Sequence, residues 1–132
     1  MKDGVWIRSI ASPLASDAVT VLRPTLAPAD VAKALARGMF HEGKAYDFDF
    51  DFSRSDRLVC TEVVYRAFDS VGGLRFELSR RAGRLTLAAE DLLAMGLRRE
   101  GFEPVATFAP GITPGLCTGA DVDAVLRDTM TP

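Results

Sequence analysis

Residues 46–68, YDFDFDFSRSDRLVCTEVVYRAF, change periodicity partway along. From Tyr46 to Phe52 the chain alternates strictly, with Phe48, Phe50 and Phe52 on one side and Asp47, Asp49 and Asp51 on the other. A period of two belongs to extended backbone, so this spacing predicts an extended segment with a buried aromatic face and a solvated acidic one. After Cys60 the apolar residues Val64, Ala67, Phe68 and Val71 recur at helical spacing, and Gly72-Gly73 stops the pattern. Extended and helical segments therefore sit side by side in the chain, joined by a short polar loop.

The flanking sequence extends this mixture. Residues 4–10, GVWIRSI, and 18–23, AVTVLR, are short β-branched runs that read as strands, with ASPLASD as the loop between them. A helix is predicted from Pro28, a residue suited to a first helical turn, with Val31, Ala34, Leu35, Gly38 and Met39 as its apolar face. LRFELS reads as a strand or an extended loop, and TLAAEDLLAMG as a short helix begun by Thr86. EPVATFA, residues 103–109, is a last strand, and the Pro/Gly-rich PGITPGLCTG leads to a terminal helix, ADVDAVLRDTM. Strands and helices do not alternate regularly, which argues against a doubly wound sheet. The order predicts an α+β domain with a small antiparallel sheet packed against helices.

Composition narrows the functional classes. At 132 residues the chain is long enough for one domain with a real core, taken as residues 1–132, and too short for two. A net charge of -2 with scattered lysines and arginines leaves no footprint for nucleic acid. No apolar run approaches the roughly 18 residues of a membrane span, and the N-terminus lacks the apolar stretch of a secretory signal. Two cysteines make no disulfide framework. With one histidine, a Cys/His zinc site lacks ligands, and no cofactor is expected. The acidic DFDFD run does not make a calcium loop, because Phe52 stands where the sharp-turn glycine belongs and Leu58 where the bidentate glutamate belongs.

Cys60 admits two readings. It extends the inner stripe of its helix, and free cysteine is among the most buried residue types. It also falls at or just before a helix N-terminus, where unsatisfied N–H groups and the positive end of the helix dipole favour thiolate and offer donors to an oxyanion. Spacing alone leaves both open.

GKAYDFDFDF followed by LVCTEVVYRAF resembles the permuted papain-like amidases, a branch of the NlpC-type cysteine hydrolases. The matching residues are Gly43, Tyr46, Asp47, Phe48, Phe50, Cys60, Thr61 and Glu62, and SDAVTVLRP and LTLAAEDLLAMG resemble flanking segments of that family. The likeness spans roughly residues 4–96. It implies the permuted papain-like fold, with Cys60 as the nucleophile that attacks an amide or ester carbonyl to form an acyl-enzyme. By the same resemblance Tyr46 helps orient the carbonyl oxygen, and Glu62 is a first-turn or hydrogen-bonding residue. The implied substrate is a small-molecule, peptide or lipid amide or ester.

One part of that pattern is missing. The family carries its base histidine upstream of the cysteine, often in Ser-His-Val-Gly, and this sequence contains no such motif. A thiol hydrolase needs that base. The expectation is a family member incomplete at its N-terminus, in preference to a degenerate homologue or one completed by a partner chain. Such a chain is expected to be inactive alone and to self-associate through an exposed sheet edge. His41, beside Glu42 at the end of the predicted helix, is expected to be a solvated cap distant from Cys60. The alternative is a non-catalytic binding module on the same fold.

Overall fold

The computed structural model describes residues 4–130. In chain order the elements are α1 (Ala11–Leu14), β1 (Val19–Pro24), α2 (Pro28–Met39), β2 (Ala45–Tyr46), β3 (Arg57–Leu58), α3 (Cys60–Phe68), a 3-10 turn (Val71–Gly73), β4 (Ser79–Arg81), β5 (Arg84–Thr86), α4 (Ala89–Leu97), β6 (Phe102–Phe108), β7 (Leu116–Thr118), a second 3-10 turn (Gly119–Asp121) and α5 (Val122–Met130). The protein is thus mixed α+β with a small antiparallel sheet. Backbone packing gathers these elements into two compact units, whose described residues are 4–7 and 26–89 in one and 8–25 and 90–130 in the other.

The second unit holds the antiparallel sheet, in the order β1-β6-β7. β1 and β6 run in register from Val19↔Phe108 to Pro24↔Phe102, with an irregularity between Val21 and Leu22. Pro24, which has no N–H to donate, ends β1 at the sheet edge, where proline is tolerated. Thr20 and Thr107 share a hydroxyl hydrogen bond of 2.9 Å across the pair, the kind of cross-strand contact that fixes register. α5 lays Val122 and Leu126 into the core. Gly96 of α4 sits so close to the sheet that a Cβ there would lie 2.9 Å from Leu22 Cδ2.

The first unit is built on α2 and α3. Its core includes Ala34, Leu58, Val59, Ala67, Val71, Leu74 and Leu87. A Cβ on Gly38 would stand 3.5 Å from Ala67 Cβ, so small residues set the approach of the two helices. β4 and β5 form a hairpin whose central residues, Ala82 (φ 50) and Gly83 (φ 80), are both left-handed, as a tight hairpin of right-twisted strands requires.

Several local expectations are corrected. Residues 4–10 form no strand; Val5 exchanges two backbone hydrogen bonds with Gly43 and Lys44, and Ile7 and Ile10 lie exposed. A β-branched run without a partner for its ladder does not become a strand. The turn α1 occupies part of the predicted loop at 11–17. The apolar face of α2 is narrower than predicted: Ala34 is buried while Leu35 and Met39 are exposed. α4 begins at Ala89 because Thr86 is held in β5 opposite Ser79. In the aromatic segment Asp47, Phe48 and Phe50 take the sides opposite to those predicted, while Asp49 is exposed as expected and Phe52 is half-buried.

Candidate active site

The two halves of the sequence signature meet through a short parallel pair. β2 lies beside β3 with Tyr46 opposite Leu58, and the Asp47 N–H donates to the Leu58 carbonyl at 3.3 Å. Leu58 and Val59 are both buried, which anchors the chain as it leaves β3. Val59 is the extended N-cap residue, and Cys60 is the first residue of α3. Tyr46 and Cys60 are thereby brought to the same end of the β2–β3 pair. Of the two sequence readings of Cys60, the buried one is excluded: the residue is exposed and its thiol is free. The first N–H groups of a helix have no carbonyl partner within it, so an acyl oxygen arriving at Cys60 would meet donors already in place.

The segment between the strands is not the extended one predicted. Asp47 is fully buried, whereas Phe48 is 72% and Phe50 49% exposed. The Asp47 carboxylate accepts the backbone N–H of Asp49 at 3.0 Å and of Asp51 at 2.7 Å. Aspartate readily folds its own backbone into a turn in this way. The turn holds Phe50 at φ 52 and leaves the Phe48 and Phe50 rings facing outward. The Tyr46 ring packs edge-on against Phe48 at 4.8 Å and Phe50 at 6.3 Å, so it is positioned by neighbours that themselves face solvent.

Glu62, two residues past the thiol, is a structural residue. It is fully buried, and its Oε2 accepts Arg66 Nε at 2.8 Å one helical turn on. The same arginine donates through Nη2 to the carbonyls of Phe52 and Arg54, at 3.0 and 2.8 Å. The pair therefore ties the 47–56 loop to α3. Burial raises the Glu62 carboxyl above its ordinary range, and Arg66 opposes that shift; the Val59 N–H favours the charged form weakly. That N–H falls short of a well-formed bond, since Oε1 has no hydrogen-bond partner. Glu62 stands at the third position of α3, from which a glutamate can reach back toward the N-cap N–H, but Val59 has no side-chain oxygen to complete a capping box.

His41 differs from its expected state. It is buried rather than solvated, at 9% exposure, and its Nδ1 has no hydrogen-bond partner. Burial holds the imidazole below its usual range, with Lys44, Arg66 and Arg37 adding positive charge nearby. It lines a pocket between α2 and α3 with Tyr65 and Asp69. Its ring stands edge-on to Phe40 at 5.5 Å.

Sequence reasoning missed Asp47 and Arg66 as the residues that hold the site loop. Arg66 was findable, standing four residues after Glu62 on one helix face. Asp47 was hidden by the alternating pattern it belongs to. Among the described residues no group of three or more histidine, cysteine, aspartate or glutamate side chains is placed to hold a metal ion. No helix among them is long and apolar enough to cross a membrane. Comparison with protein-family models, curated proteins and solved structures finds no match to this chain.

Proposed function

We propose that this chain carries the nucleophile centre of a cysteine hydrolase of amides or esters, on the permuted papain-like plan that its sequence resembles. The observation that supports this reading most strongly is the exposed Cys60 thiol at the first position of α3, joined to Tyr46 by the β2–β3 pair. In this mechanism the Cys60 thiolate attacks the carbonyl carbon, backbone N–H groups of the first turn of α3 stabilise the oxyanion, and the amine or alcohol leaves with a proton. Water then hydrolyses the thioester. Tyr46 assists the carbonyl oxygen, and Glu62 with Arg66 keeps the helix start and its loop in place.

His41 is not the base in this proposal. It is buried against Phe40 and the basic residues of α2, and it forms no hydrogen bond to Cys60. Acylation is therefore expected without efficient turnover by this chain alone, because most of a thiol hydrolase's rate depends on nucleophile and base acting together. The same observation favours a second reading, a binding module on this fold with no chemistry. Self-association belongs with the first proposal: β1 and β7 each pair on one side only within the sheet, and an unpaired strand edge is a template for a second copy.

Single-turnover acylation with an activated ester separates the two readings. The nucleophile reading predicts a burst of leaving group close to one equivalent that disappears in Cys60→Ala. It also predicts a slower burst in Tyr46→Phe, by at most the roughly 10²- to 10³-fold typical of losing one oxyanion donor. No burst from the parent protein would refute the nucleophile reading.

A further inference from the structure

The pocket between α2 and α3, about 590 Å³ in volume, is not used by the proposed chemistry. That volume is typical of a small-molecule site. Its α2 wall carries two adjacent stripes. Lys33, Arg37 and His41 follow one another at steps of four residues, and Ala36 and Phe40 do the same beside them. Tyr65, Arg66 and Asp69 of α3 and its end form the opposite wall.

The charges in this pocket are unequally committed. Arg66 is occupied by Glu62 and by the carbonyls of Phe52 and Arg54. Arg37 spends one N–H on the Asp69 carbonyl at 2.8 Å, which leaves other donors of its guanidinium available. Lys33 is exposed and makes no ion pair with the described residues. His41 borders the pocket, with its Nδ1 buried behind the wall, so the ring adds shape there and no hydrogen bond to a ligand through that atom. The Asp69 carboxylate already accepts the Phe76 N–H and the Ser70 hydroxyl. Lys33 and Arg37, with Lys44 Nζ close to Phe40, outnumber the one carboxylate, so the pocket suits an anion, and its apolar walls favour one with a single small head on a flat body.

The rest of the lining is flat and apolar. Phe40 is 79% exposed, touched by the His41 ring edge-on at 5.5 Å and by Lys44 Nζ 5.5 Å from its centroid, which leaves apolar area for a ligand to bury. Tyr65 is fixed between Phe52 and Phe76, with ring centroids 6.0 and 5.9 Å away, so it offers a preformed wall.

We propose that this pocket binds a monoanionic carboxylate bearing a flat apolar body, its head on Lys33 and Arg37 beside His41 and its body against Phe40 and Tyr65. The site is separate from Cys60 and does not depend on the hydrolase reading. His41 is the only histidine in the chain, so its imidazole signals report on the pocket directly.

The test is an NMR titration of those signals in the full chain with 2-naphthoate, with acetate and with inorganic phosphate. 2-Naphthoate is expected to shift them saturably and to bind about tenfold more tightly than acetate, from burial of its rings. It should also bind more tightly than phosphate. Lys33→Gln and Phe40→Ala, both at exposed positions that leave the core intact, should each weaken 2-naphthoate about fivefold. The proposal is overturned by the absence of a saturable shift, by phosphate binding at least as tightly as 2-naphthoate, or by unchanged affinity in both variants.

Discussion

Replacing Arg66 with methionine keeps most of the side-chain stem and deletes the cation. Three hydrogen bonds go with it: one to the Glu62 carboxylate and two to carbonyls of the 47–56 loop. The Glu62 side chain is only 1% exposed, so its charge would be left in the interior without a partner. Breaking a buried ion pair from one side costs about 3–5 kcal/mol, far more than the pair itself contributes. Because the Arg66 side chain is 27% exposed, water reaches part of the vacated space, and the lower end, about 3 kcal/mol, applies. In a chain of 132 residues that corresponds to a fall in Tm of roughly 10 °C. Urea unfolding followed by circular dichroism reads the loss directly. Adding Glu62→Gln to Arg66→Met removes the stranded charge and should recover about 1.5 kcal/mol or more. Arg66→Met within about 1 kcal/mol of the parent, or strictly additive single variants, would refute the claim that this pair is a buried, coupled unit.

Three further outcomes follow from the same geometry. Because burial raises the Glu62 carboxyl in the folded state, its contribution to stability is fully present below its unfolded value of 4.5. That contribution is lost as pH rises through the raised folded value, so the stability difference between the parent and Glu62→Gln should change in that window, as measured by urea unfolding at stepped pH. The lowered His41 has the opposite sign: its contribution is present above 6.5 and lost as pH falls through the folded value, and its imidazole should titrate below 6.5 by NMR. Asp47→Ala removes the acceptor of two backbone N–H groups from a fully buried position and should cost about 2–3 kcal/mol, with faster amide exchange at Asp49 and Asp51; Asp47→Asn, which keeps one acceptor oxygen, should cost less.

The helix starts were largely legible in the sequence, and the segment between them was not. Pro28 marks the start of α2, and the change of period around Cys60 places the start of α3, because both signals are local. The aromatic run failed as a guide because alternation predicts a buried face only when the strand finds a ladder. Asp47 offered the N–H groups of Asp49 and Asp51 a nearer acceptor, so the backbone turned, Asp47 went inside, and Phe48 and Phe50 went out. Leu35 and Met39 follow helical spacing yet stay exposed, because the small Gly38 and Ala67 decide which face of α2 meets α3. β7 was hidden in a Pro/Gly-rich stretch, since three residues become a strand only once β6 is present to pair with Leu116–Thr118. The β2–β3 pair was invisible for the same reason: two residues on each side carry no periodic signal. Yet that pair is what brings Tyr46 and Cys60 to one end of the site.

In the proposed function Cys60, and not the half-buried Cys117 of β7, is the acyl-accepting thiol. Peptide-resolved mass spectrometry after brief exposure of the native protein to p-nitrophenyl acetate tests it most directly. A single acetyl adduct, of thioester lability, is expected on the peptide containing Cys60, unchanged in Cys117→Ala and absent in Cys60→Ala. An adduct confined to Cys117, or one that persists at full yield in Cys60→Ala, would contradict it.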